Sequence, residues 1–508
     1  MVLTLILGDQ LHRQWFSPSP LQLDGDSRVL MIEDHGVATS YRYHRLRLLH
    51  TFVAMRSFRE ALIAHGIAVS YHELPASMTR SFWQRLADEL QALPEAARAL
   101  QVAEVADPGF EQALRQLCEQ QAVSLTVLPS PAFLESVDES RTWFEGQRRP
   151  RMASFYQRQR RRLGLLLEPD GSPSGGQWSF DADNRCRLPK GYSEPPLPAM
   201  AASRHEAAVR EMVHLHFPGH PGELGPLWIP FDHAGADAWL ELFLAERLDE
   251  FGPYEDALSS RFDTLHHSLL SPLLNIGLLT PMQVIDSTLA HAEARDREGR
   301  PVSIASLEGF LRQVIGWREF VRGIDRVHGQ QQASANHWDH HRRLAPCWDD
   351  GSTGIEPLDL AIRRLNRLGY NHHIERLMVI SNLMLLCEID PREVHRWFME
   401  RYLDSYEWVM GPNVYGMGLM SDGGIFATKP YISGSNYILK MGDFRKGPWC
   451  QIWDGLYWRF IERHQDFFRR NPRLSMMVRL LEKMDPLRLQ QLIEAAEAFL
   501  DRVTLPPE

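Results

Sequence analysis

The hydrophobic period of this chain changes once, and the change divides it. Over residues 1 to about 130, short apolar runs alternate with amphipathic stretches. From about Trp228 onward, apolar residues recur three and four apart almost without interruption. Leu3 to Leu7, Val29 to Ile32, Ile67 to Tyr71, Val102 to Val105 and Ser124 to Leu128 read as strands, with Arg45 to His65 as a helix among them. Strand–helix alternation implies a parallel sheet covered by helices on both faces. Leu307 to Ile324, Arg376 to Leu386, Pro391 to Asp404, Trp453 to Phe468 and Leu487 to Leu500 read as helices, as does the segment starting at Trp239. The expected organisation is an α/β domain over residues 1–130, an Arg-rich connector over 131–228 and an all-helical domain over 229–508.

A chain of 508 residues is long enough for two or three domains with sizeable cores. The net charge of −10 argues against a binder held to nucleic acid by charge alone. The five cysteines are dispersed and form no CxxC pair, which points to a reducing compartment without a disulfide framework. The N-terminus lacks the basic start and length of a secretion signal, and no apolar run is long enough to span a bilayer. A cytoplasmic protein with no membrane partner is expected.

Ligands of open parallel sheets sit at the carboxyl ends of the strands, which places Gly8, Asp9, Gln10, Glu33 and Asp34 at a candidate rim. The same polar residues could simply cap helices. In the connector, eight arginines from Arg141 to Arg162 face a single Glu145, with Trp143, Phe144, Phe155 and Tyr156 interleaved. That pattern suits a phosphate-contacting surface, or a solvated helix paired with acidic neighbours.

The segment Tyr370 to Tyr437 holds most of the chemistry-bearing residues. Arg376 and Asp404 can form a buried pair that registers two helices, or can place a cation beside a flavin. His372 and His373 point about 100° apart on a helix, so one of them can line a pocket and move a proton while the other is core. Leu265-His266-His267-Ser268-Leu269-Leu270-Ser271-Pro272 sets hydroxyls at a Pro-bounded helix start, which suits a pyrophosphate or an ordinary cap. Gln313 and Trp317 lie four apart on one helix face. Tryptophan, at 14 residues, is roughly twice its usual share and supplies stacking or redox-active rings as well as core.

Several motifs together resemble the photolyase/cryptochrome family. They are Phe251-Gly252-Pro253-Tyr254-Glu255-Asp256, Ser268 to Gly277, and Trp317-Arg318-Glu319-Phe320. Gly175-Gly176-Gln177-Trp178-Ser179-Phe180-Asp181-Ala182-Asp183-Asn184-Arg185, His372 to Met378, and Ala427-Thr428-Lys429-Pro430-Tyr431 are similar to the bacterial iron–sulfur branch, whose characterised enzymes repair (6-4) photoproducts. The resemblance implies a Rossmann-like antenna domain followed by a helical domain holding FAD in a U shape. It implies FAD contacts from Tyr254, His267, Ser268, Leu269, Leu270, Ser271, Gln313, Trp317, Arg376, Asp404, Met410 and Asn413. It implies catalytic roles for His372 or His373 and Tyr431, and electron transfer through Trp348 and Trp397. A 6,7-dimethyl-8-ribityllumazine antenna would lie against Gly8, Asp9, Gln10, Glu33 and Tyr41. Arg158, Arg160, Arg161, Arg312 and Arg318 would hold the phosphates of UV-damaged DNA, and the protein would act as a monomer.

Two departures from the branch alter the expectation. The four cysteines that would bind a [4Fe–4S] cluster fall at Glu356, Arg445, Pro448 and Cys450, so no cluster and no metal site is expected, with an Arg445–Glu356 ion pair as one way to fill the gap. Met410 takes the place that usually faces flavin N5, where a thioether can neither give nor accept a proton, so altered flavin redox behaviour is expected. The reading that follows is a (6-4) photolyase using reduced FAD on a flipped-out lesion. The alternative is a blue-light receptor built on the same pocket.

Overall fold

The computed structural model describes residues 2–74, 76–94, 98–198 and 200–507. Five parallel strands, β1 (Leu3–Leu5), β2 (Arg28–Ile32), β3 (Ala68–His72), β4 (Ala99–Ala103) and β5 (Ser124–Leu128), form a sheet of order β3-β2-β1-β4-β5. Successive side chains leave a strand on opposite faces. Leu30 and Ile32 join Leu3, Leu5, Leu100 and Val102 against the helices Phe82–Gln91 and Pro108–Gln120. Val29 and Met31 instead meet Leu49, Phe52 and Val53 of the helix Arg45–Ala64. The central β2 is apolar on both faces because both are covered, whereas the edge strands β3 and β5 carry polar residues and none of their side chains is fully buried. Strand order reverses between β1 and β4, and Gln10 bridges that point by donating to Ala103 O at 2.9 Å.

The connector is a structural part of both domains rather than an arm. Its helices Val137–Glu145 and Met152–Leu163 bring Phe144 and Phe155 onto Phe320 and Ile324. Gly323 makes room for this: a Cβ there would stand 1.9 Å from Phe144 Cε2. A third helix, Glu206–His216, sets Val209, Met212 and Val213 into the core that holds the helix Arg45–Ala64.

Among the described residues, the helices of the remainder are joined by loops, a two-residue pairing of Arg343–Leu344 with Thr504–Leu505 and a single bridge between Arg342 and Ile389. Helices Pro448–Arg463 and Pro486–Val503 cross at Gly455, where a Cβ would stand 2.1 Å from Leu492 O. Three segments widen to π-helical turns: Arg312–Arg318, Glu375–Ser381 and Pro412–Gly418. The first two interrupt stretches whose apolar period predicts unbroken α-helix. No helix among the described residues is long and apolar enough to cross a membrane.

Candidate active site

All three π-turns face one cavity. A π-turn adds a residue to a helical turn and is a frequent feature of functional sites. Gln313, Trp317 and Arg318 come from the first, Leu377 and Met378 from the second, and Asn413 and Met417 from the third. The outer lobe encloses about 760 Å³ and opens past Met152, Trp178, Lys429 and Tyr431. An inner lobe of about 240 Å³ is walled by His267, Ser268, Leu269, Leu270, Tyr370 and Arg376. Glu255, Ser271, Gln313, His373, Ile374 and Asp404 belong to both walls, so the lobes are continuous. The loop entering the inner lobe is strained, with Leu265 at φ 50° and Leu269 at φ 59°, a conformation costly for a branched side chain.

Arg376 and Asp404 meet end-on, Nη1 to Oδ1 at 2.9 Å and Nη2 to Oδ2 at 3.0 Å. The Ser271 hydroxyl donates to Asp404 Oδ2 at 2.6 Å. Burial would raise the Asp404 carboxyl, but Arg376 and these hydrogen bonds outweigh it and hold the group below its ordinary value. The guanidinium also lies 4.2 Å from the ring centre of Tyr402.

The paired histidines diverge as adjacent helical positions must. His372 is buried and stacks on His267, centroids 4.6 Å apart and planes 7° apart. His373 presents its ring to both lobes. Surrounding protein atoms and Arg376 lower its pKa to about 4, so it rests neutral with one N–H to give. His267 is lowered to about 3 by burial and by His373, and its Nε2 is buried without a protein partner in the inner lobe. Tyr431 lines the outer lobe. Tyr254 stacks on His266 instead and walls neither lobe.

Trp397 donates from Nε1 to Trp348 O at 3.3 Å, and Trp348 donates to Val503 O at 2.9 Å. Both tryptophans are buried, and Trp397 lies 6.4 Å from Tyr402, which carries the contact on to Arg376.

The arginines expected at phosphates divide. Arg160 is fully buried and donates to the carbonyls of Leu165, Leu166 and Trp178, closing the end of its own helix. Arg312 is buried among Asp181, Glu255 and Glu308. Arg318 donates to Asn275 and lies over Phe133 and Trp408. Arg158 pairs with the buried Glu135. Charge in a sequence does not show which carboxylates will meet it, and these four are engaged inside the protein. Arg161 is exposed over Trp178, and Arg148, Arg149 and Arg151 are exposed in the turn before Met152 at the cavity mouth.

At the sheet rim, Glu33 is saturated: Arg56 donates to both oxygens, with Tyr71 and the Leu74 N–H completing four bonds. Tyr41 donates to Glu407 at 2.6 Å. Gly8 rests against Met55 and Thr51, and burial raises Asp9 to about 6. The polar groups expected to hold an antenna are thus largely engaged with the protein, and they do not fit an open chromophore slot.

Met410 is packed in the helical core and walls neither lobe; its helix gives Trp408 and Val409 to the cavity, and the following π-turn gives Asn413. Glu356, Arg445 and Pro448 are exposed, while Cys450 packs with Trp449 and Trp453. No ion pair joins Arg445 to Glu356 among the described residues, and both side chains are exposed.

Sequence reasoning gave no role to Glu255, although it lies in a quoted motif. It accepts from Gln313 Nε2 and Asn184 Nδ2, each at 2.8 Å, with Arg312 at 3.7 Å. Burial raises it to about 7 against the pull of Arg312. Trp408, Asp256 and Arg185 also line the cavity without having been singled out.

A family profile described as deoxyribodipyrimidine photo-lyase-related protein matches residues 4–228, and the FAD binding domain of DNA photolyase matches residues 310–440. A (6-4) photolyase of Agrobacterium fabrum is 33% identical over 99% of both chains. A class III photolyase from Agrobacterium tumefaciens shares the fold at TM-score 0.56 and 17% identity, covering 99% of this chain and 98% of that one. A Synechocystis cryptochrome does so at TM-score 0.56 and 15% identity, with the same coverage. With a five-stranded parallel sheet, a two-lobed helical cavity and a full-length relative, the chain belongs to the photolyase/cryptochrome family, in its bacterial (6-4) branch.

Proposed function

We propose that the protein is a light-driven (6-4) photolyase of UV-damaged DNA. The observation that carries the reading is the position of His373, on the wall common to both lobes and one turn from the Arg376–Asp404 pair. The cavity residues fit FAD: two continuous lobes, an unpartnered buried His267 Nε2, a cation at Arg376 and amides at Gln313 and Asn413. When bound, FAD supplies an electron donor excitable by light.

The chain's own residues do the rest. Arg376, fixed by Asp404 and Ser271, offers a positive charge at the wall of the inner lobe. The exposed Arg148, Arg149, Arg151 and Arg161 hold phosphates at the cavity mouth, while the damaged base, cheaper to unstack than an intact one, enters past Trp178 and Tyr431. His373 holds a lesion oxygen with its ring N–H; negative charge arriving on the base raises the proton affinity of that oxygen and of the imidazole alike, so a His373 charged by a proton from solvent passes that proton to the oxygen and regains it when the charge leaves. Trp397 and Trp348 lead from the pocket toward the C-terminal helix and would offer a bound flavin a path for electrons. The protein works as a cytoplasmic monomer. The reading is tested by illuminating reduced protein with DNA carrying a (6-4) photoproduct, and separately a cyclobutane dimer, and counting restored thymines. Restoration of the first supports it; a photoreduced protein that restores neither indicates a receptor instead.

A further inference from the structure

Glu255, His373 and Asp404 are the ionisable side chains common to both lobes among the described residues. Asp404 is held by Arg376 and Ser271, and His373 has its role above. Glu255 is fixed with equal care but has no partner of opposite charge in hydrogen-bond contact. Two neutral amides hold its oxygens from different elements, Gln313 from a π-turn and Asn184 from the connector. Asn184 is itself clamped on Gly309, where a Cβ would stand 2.8 Å from its Nδ2. The charges facing Glu255 are Arg312 at 3.7 Å, Asp256 with its partner Arg185 at 3.5 Å, and Asp181 in the connector, with Glu308 behind Arg312.

Resting on the repair reading, we propose that Glu255 is a second substrate-contacting acid of this cavity, donating its carboxyl O–H to an exocyclic oxygen of the flipped pyrimidine. Pyrimidine exocyclic oxygens only accept hydrogen bonds, so an ionised carboxylate would repel them and a neutral one binds them. The opposing effects of burial and of Arg312 leave Glu255 near neutrality, at about 7. The neutral, donating form predominates below that value and is lost as pH rises through it. Above it, lesion binding therefore draws a proton from solution.

The test is a dark calorimetric titration of FAD-loaded protein with (6-4) duplex about one unit above that value, in two buffers of different ionisation enthalpy. Wild type takes up close to one proton per lesion and Glu255→Gln takes up none. In the light, wild-type repair falls about tenfold from one unit below to one unit above, while Glu255→Gln, neutral at every pH and still an N–H donor, stays flat. Absence of proton uptake by wild type overturns the proposal without reference to any variant, as does equal uptake by Glu255→Gln. A wild type that repairs but shows either result refutes only the role of Glu255; one that restores no thymine at all refutes the repair reading itself.

Discussion

Arg376 and Asp404 form a two-bond pair at 2.9 and 3.0 Å whose second oxygen also receives the Ser271 hydroxyl, so three segments far apart in sequence are joined at one carboxylate. Removing one partner leaves the other charge buried and unpaired. Asp404→Asn is expected to cost about 3–5 kcal/mol in denaturant melts and to release FAD on gel filtration. Its folded pKa is depressed, so its contribution is complete above the ordinary carboxylate value of about 4 and is lost as pH falls through the lower folded value. An acid-denaturation midpoint that Asp404→Asn leaves unmoved would count against this assignment.

The crossing at Gly455 predicts a stability effect with no flavin involved. A methyl group there meets the carbonyl of Leu492, a backbone atom that cannot swing aside. Gly455→Ala should lower stability by about 1–3 kcal/mol by helix separation, measured by thermal unfolding of FAD-loaded protein.

Trp397 and Trp348 are joined through one hydrogen bond and lead away from the pocket. Trp397→Phe should slow photoreduction of bound FAD at least tenfold in absorbance kinetics, while repair by chemically reduced protein is retained. Unchanged photoreduction would move the route elsewhere.

The positions aligned with cluster cysteines carry Glu356, Arg445 and Pro448, and Cys450 is buried in apolar packing. Purified protein should contain neither stoichiometric iron nor acid-labile sulfide, and chelators should leave its melting temperature unchanged.

The sheet was legible because its strands are short, mostly apolar runs set between amphipathic stretches, and each of the five expected strands overlaps an observed one. Arg376 and Asp404 were legible as a motif. Which of His372 and His373 faces the cavity was not, because adjacent residues on a helix diverge whatever their sequence. The π-turns were hidden as well, since one added residue barely disturbs an apolar period of 3.6. Arg160, Arg312 and Arg318 read as surface cations because the carbonyls, carboxylates and rings that engage them lie elsewhere in the chain. Met410 was placed by resemblance to a motif, and its side chain packs in the helical core beside the third π-turn.

The most direct measurement is the light-driven restoration of thymines from a (6-4) photoproduct by wild type, His373→Ala and His372→Ala at matched FAD occupancy. The account predicts turnover by wild type, a loss of about a hundredfold or more in His373→Ala, and a smaller loss in His372→Ala that follows its reduced stability. Wild-type protein that leaves the lesion intact, or His373→Ala that repairs as wild type does, would contradict it.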